Sequence, residues 1–81
     1  MKSENKLTLQ IYGLLRPLIG PVMAEAAIMI QSRKAGKNHD TIDERDLPAL
    51  ADLITHSLIV FLGTDGAARI AEKIKKLKPM I

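Results

Sequence analysis

The chain has no cysteine and no tryptophan, and its only aromatic side chains are Tyr12 and Phe61. Lacking cysteine, it has no disulfide to staple a small fold and no thiolate to hold a structural metal. The same absence fits a reducing compartment, so the expected location is cytoplasmic. Few aromatics, threonines and valines, set against many leucines and alanines, disfavour sheet and favour helix. A long apolar run is also missing. Leu58 to Leu62 is far too short to span a bilayer, and Leu14 to Ile30 is interrupted by Arg16, Pro17, Gly20, Pro21 and Glu25. The first ten residues, MKSENKLTLQ, lack the apolar core of a signal peptide. No membrane span is expected.

What is present is 81 residues, 47% of them apolar, with a formal net charge of +3. Division would leave pieces too small to bury a core, so residues 1–81 are expected to form one domain. The positive bias is mild; it permits an anionic partner without requiring one.

Four helices are expected. Ser3 and Asn5 offer capping groups before a stripe of Leu7, Ile11, Leu14, Leu15 and Leu18. Pro17 should end or kink this first helix near Arg16. Pro21 suits the first position of a second helix, Pro21 to Lys34, with Gly36 as a left-handed C-cap. A third helix, starting between Asp43 and Leu47, should reach Leu62 and close on Gly63. A fourth, capped by Thr64 or Asp65, should run to about Lys78 with Pro79 beyond it. Leu7, Ile11, Leu15, Gly20 and Ala24 recur 43 residues later as Leu50, Ile54, Leu58, Gly63 and Ala67. The expected architecture is therefore all-α, a compact four-helix domain of two αα-hairpins, with duplication and shared hairpin geometry both accounting for the repeat.

His39, Asp40, Asp43, Glu44 and Asp46 crowd one short stretch. Metal ligands must converge on a point with a supporting shell, and no calcium-loop spacing occurs here. Capping explains more of these residues. Thr41 and Glu44 fit a capping box, and the other carboxylates favour the positive end of the third helix. Ser32 and Ser57 lack a nucleophile elbow, and Gly63 to Gly66 lacks the ending of a phosphate loop. His56 sits four residues after Asp52, as for an exposed pair. No catalytic, cofactor or metal residues are assigned, and the chain is expected not to be an enzyme.

The second helix has too much apolar surface. Its aliphatic residues cover most of the circumference, leaving Glu25 and Ser32 as a polar strip with Gln31 to one side. In the third helix, Leu47, Leu50, Ile54, Leu58, Phe61 and Leu62 form a broad face extended by Leu53 and Val60, while Ile59 lies apart. In the fourth, Ala67, Ile70, Ala71, Ile74 and Leu77 point inward. Three neighbouring helices cannot enclose both the second and third, so part of this surface should meet a second copy or another protein. The candidate interface residues are Val22, Met23, Ala26, Met29, Ile30 and Ile59; the core is the other place for the two methionines. Basic residues Arg33, Lys34, Lys37, Arg69, Lys73 and Lys76 are the candidate contacts of an alternative, nucleic-acid-binding reading.

Ile19, Gly20, Pro21 and Ala24, followed by Asp46, Leu47, Leu50 and Leu53, resemble a pattern in small helical modules of bacterial signalling proteins. Those modules carry a hydrophobic-Gly-Pro-x-x-Ala turn, a polar linker, and an acidic residue before leucines. The likeness covers about half of the chain and implies a non-catalytic module that binds proteins or oligomerises. It brings no functional residues with it.

Overall fold

A computed structural model describes residues 1–78, so Pro79 lies outside the described residues. The described residues are all-helical, comprising α1 (Lys6–Ile19), α2 (Pro21–Lys34), a 3₁₀ turn (Glu44–Asp46) and α3 (Leu47–Lys75).

Asn5 starts α1 by accepting a hydrogen bond at Oδ1 from the Thr8 backbone N–H, 3.0 Å away. Its Nδ2 donates to the carbonyls of Asp40 (3.2 Å) and Ile42 (2.8 Å). Thr8 is buried, and its hydroxyl donates to the His39 carbonyl. One capping residue and one buried hydroxyl thus tie the start of α1 to the loop that leads into α3. Thr8→Val keeps the shape but removes the donor, leaving a partly buried carbonyl unpaired. The expected cost is about 1–3 kcal/mol in a urea titration, whereas Thr8→Ser, which keeps the hydroxyl, should cost less.

Pro17 does not end α1; the helix runs through it to Ile19. Its missing N–H frees the carbonyl of Gly13. Both residues are exposed, which leaves that carbonyl open to water. Gly20 then takes φ 84° and ψ 163°, and its N–H closes the helix on the Arg16 carbonyl at 2.9 Å. Pro21 opens α2 as expected. At the other end Gly36, at φ 80°, donates to Arg33 (3.0 Å) and Lys37 donates to Ser32 (2.9 Å), the paired bonds of a Schellman cap.

Where separate third and fourth helices are expected, α3 is one element interrupted at Gly63, which has φ 70° and ψ 169°. Beyond this corner the chain doubles back. The Thr55 hydroxyl donates to the Ala67 carbonyl at 3.4 Å, and Lys75 Nζ lies 3.6 Å from the Asp52 carboxylate. Helical structure stops at Lys75, short of the expected Lys78.

A single cluster forms the core. Leu7, Ile11 and Leu15 from α1 meet Ala24 and Ile28 from α2, and Leu50, Ile54, Leu58 and Ile74 from α3. The 43-residue repeat has structural counterparts. Leu7, Ile11, Leu15 and Ala24 are buried, as are Leu50, Ile54, Leu58 and Ala67, and the two corner glycines share one region of φ/ψ space. Leu18 and Phe61, placed on inward faces by periodicity, are exposed instead. Each stands two residues before a corner glycine, at the tip of its helical arm. The segment Glu44–Lys75 is long and apolar enough to cross a membrane, with a window of mean hydropathy 1.5. It is bent at Gly63 and lends Leu50, Ile54, Leu58 and Ile74 to the core, and 28% of that apolar window is buried.

Candidate protein-interaction surface

The acidic stretch caps the 3₁₀ turn that runs into α3, but through other residues than Thr41 and Glu44. Asp43, in extended conformation, accepts at Oδ1 from the Arg45 N–H (2.9 Å), while its own N–H donates to Asp46 Oδ2 (2.9 Å). This is a reciprocal capping box displaced by two residues. The displacement has a local cause. Thr41 closes a tight turn with Asn38, their backbones joined at 3.0 Å, and Ile42 must reach the core before the helix begins. Desolvation pushes the Asp43 carboxyl up. Hydrogen bonds from the Arg45 side chain and backbone, with the charges of Arg45 and Lys37, outweigh it and hold the group below its ordinary range. Its stabilising contribution is therefore present above the unfolded-state value and lost as pH falls through the lowered one.

His39 Nε2 is 3.4 Å from Asp40 Oδ2, and Lys37 Nζ is 3.8 Å from Asp46. Among the described residues no three histidines or carboxylates are placed to share a metal ion. Asp52 pairs with Lys75 across the bend in α3, not with His56 as expected. Beside this stretch an open cleft of about 1350 Å³ lies between residues 1–7, Asp40 and residues 42–45. Of its polar lining residues, Asn5, Asp43 and Arg45 serve the caps described above.

The outer face of α2 is different. Ala24, Ile28, Gln31 and Ser32 are its buried residues, so Ser32 does not form the water-facing strip expected with Glu25. The Ser32 hydroxyl can be buried because it donates to the Ile28 carbonyl at 2.6 Å. With two polar residues turned inward, aliphatic ones turn outward. Val22 is 80% exposed, Ile30 52% and Met23 41%, and Ala26 is exposed beside them. Met29 is half-buried, between core and surface, and Ile59 on α3 is 38% exposed. From Pro17 to Ile30 every exposed residue is apolar; the one ionisable group, Glu25, is half-buried.

Periodicity missed two further surface residues, Val60 and Phe61, which stand well exposed just before the Gly63 corner. Their signal was closeness to a glycine that ends the arm, where helical phase stops reporting burial.

Of the basic candidates, Arg33, Lys34, Arg69, Lys73 and Lys76 are exposed, while Lys37 is half-buried beside Asp46. Arg69, Lys73 and Lys76 share one face of the last arm by spacing. Arg33 and Lys34 lie in the last turn of α2, where positive charge suits the exposed carbonyls.

Comparison with known protein families, with characterised proteins and with solved structures finds no match to this chain.

Proposed function

We propose that this chain is a non-enzymatic helical interaction module whose working surface is the outer face of α2. Val22, Met23, Ala26 and Ile30 form that surface, with half-buried Met29 at its margin and Ile59 as an additional contact on α3. On this reading the bent α3 counts as two helices, so the domain is two αα-hairpins, each turning on a glycine.

One comparison within the chain supports the reading. Forty-three residues after Val22, Met23, Ala26 and Ile30 stand Asp65, Gly66, Arg69 and Lys73. Three of these four positions are charged in the second half of the chain and apolar in the first, although the core pairs Leu7 and Leu50, Ile11 and Ile54, Leu15 and Leu58, and Ala24 and Ala67 are apolar in both. Hairpin geometry alone therefore does not call for a greasy outer face. A face that the fold does not need, and that water disfavours, points to a partner. Resemblance to protein-binding modules of bacterial signalling proteins leads the same way.

The test is the binding of an apolar fluorescent dye, anilinonaphthalene sulfonate, at protein concentrations low enough to keep the face free. Val22→Lys with Ile30→Lys is expected to lower dye fluorescence well below that of the unmodified chain, with Val60 and Phe61 still exposed, while circular dichroism keeps its helical signal. Unchanged fluorescence would place the accessible apolar surface elsewhere and remove the proposal.

A second reading rests on the basic face of Arg69, Lys73 and Lys76, which could neutralise phosphates. It predicts retardation of DNA or RNA at low salt that weakens steeply as salt rises. No retardation at low salt ends that alternative.

A further inference from the structure

We infer that the end of the bundle carrying the Gly20 and Gly63 corners docks on a lipid bilayer, dipping its apolar side chains into the boundary between headgroups and acyl chains. The inference goes beyond the reading of the α2 face, with which it shares Val22, Met23 and Ile59.

Topology gathers the surface. α1 and α3 both start beside the contacts of Asn5 and Thr8 with His39 and Ile42. α2 returns to that end, where Lys37 Nζ lies 3.8 Å from Asp46, and so does the last arm of α3, beyond which the Lys78 carbonyl accepts from Gln10 Nε2 at 2.9 Å. The two corners therefore stand together at the opposite end. Of the eight large apolar side chains exposed among the described residues, six lie within four residues of a corner glycine: Leu18, Val22, Met23, Ile59, Val60 and Phe61.

The chemistry of this end fits lipid. Neither residues 17–24 nor residues 57–64 contain a charged side chain. Arg16 and Glu25 flank the first stretch; His56 precedes the second, and Asp65 and Arg69 follow it. An uncharged cap is thus ringed by two acidic and two basic residues, which matches acyl chains beneath zwitterionic headgroups. Pro17 and Pro21 bring no N–H to the first corner, so fewer donors must leave water there. Glu44–Lys75, which runs through the second corner, has a window of mean hydropathy 1.5 of which 28% is buried in the fold. Such composition partitions favourably out of water. Val60, 90% exposed, and Val22, 80% exposed, project from separate corners. A protein would need a recess matched to each, whereas fluid acyl chains close around both. Shallow insertion of a few side chains makes the binding reversible.

The chain has no native tryptophan, so Phe61→Trp is a lone reporter. With phosphatidylcholine vesicles its emission is expected to shift to shorter wavelength and to be quenched by brominated acyl chains. Leu9→Trp, near the start of α1 and 40% exposed in the native residue, should report neither change. In flotation the unmodified chain should rise with the same vesicles, and added salt, which screens charge, should leave it bound. Val60→Ser with Phe61→Ser should lower the partition coefficient at least about tenfold with unchanged circular dichroism.

No flotation and no shift from Phe61→Trp overturn the inference and turn the search to a protein partner for this end. Equal shifts from both reporters overturn it as well, since the binding would have no orientation. Binding that requires phosphatidylserine and vanishes in salt overturns it in favour of attraction to Arg69, Lys73 and Lys76. Dye binding on α2 is read from Val22→Lys with Ile30→Lys, so a chain that ignores vesicles and still gives that result leaves the module reading intact.

Discussion

Ile54→Ala is expected to abolish cooperative unfolding or to lower its midpoint by at least about 10 °C. Ile54 is fully buried in the first arm of α3, in the cluster that joins all three helices. Truncation removes buried methylenes and leaves a cavity, at a cost of about 2–5 kcal/mol. A domain of this size has a total stability near the low end of about 5–15 kcal/mol, so the loss takes most of it. Each kcal/mol moves the midpoint by about 4–8 °C in a small domain. Ile11→Ala should behave alike, since Ile11 is the counterpart of Ile54 in the repeat and is equally buried. Phe61→Ala is the informative contrast. It removes a larger side chain, but one that is 61% exposed, and should change stability by no more than about 1 kcal/mol. Thermal melts followed by circular dichroism compare all three; equal losses for Ile54 and Phe61 would contradict this burial pattern.

Gly20→Ala and Gly63→Ala are expected to destabilise by about 1–3 kcal/mol each, and by similar amounts. Both glycines combine positive φ with ψ near 165°, a region essentially closed to residues bearing a Cβ. A Cβ at either position would meet no atom within 4 Å, so backbone strain is the whole effect. Gly13→Ala should have the opposite sign. Gly13 lies inside α1 with open space around it, and alanine there should stabilise by about 0.5–1 kcal/mol. Urea titrations of the three variants read both signs in one series.

Local chemistry made much of the fold legible. α2 begins at Pro21 and ends at Lys34 as expected, because a proline at the first position and a left-handed glycine after the last are strong, short-range signals. The buried positions of α1 and of both arms of α3 follow helical phase at Leu7, Ile11, Leu15, Leu50, Ile54, Leu58, Ile70 and Ile74. Phase failed at the tips. Leu18 and Phe61 keep the inward angle but stand near the corners, where no layer covers them. Pro17 does not end α1, one of the two expected outcomes, because the carbonyl it frees lies in open surroundings where water reaches it.

The exposed apolar face of α2 was legible in part. A surplus of aliphatic residues on α2 is plain from composition, and Val22, Met23, Ala26 and Ile30 are exposed as the surplus requires. Which polar residues turn inward was not legible. Ser32 satisfies its hydroxyl within its own helix, and a hydroxyl bonded to the carbonyl four residues earlier looks the same in sequence as one facing water. The capping box was misplaced by two residues for a related reason. Thr41 and Asp43 are both good caps, and the choice is made by the need to bury Ile42 between them.

The central claim is that the outer face of α2 does not hold the monomer together. Thermal unfolding of the Val22→Lys, Ile30→Lys double variant, at about 1 μM where association is negligible, tests it directly. A midpoint within about 4 °C of the unmodified chain is the expected result, since two substitutions at exposed positions should cost less than about 1 kcal/mol. A fall as large as that from Ile54→Ala would show that these side chains belong to the core, and the interaction surface would no longer exist.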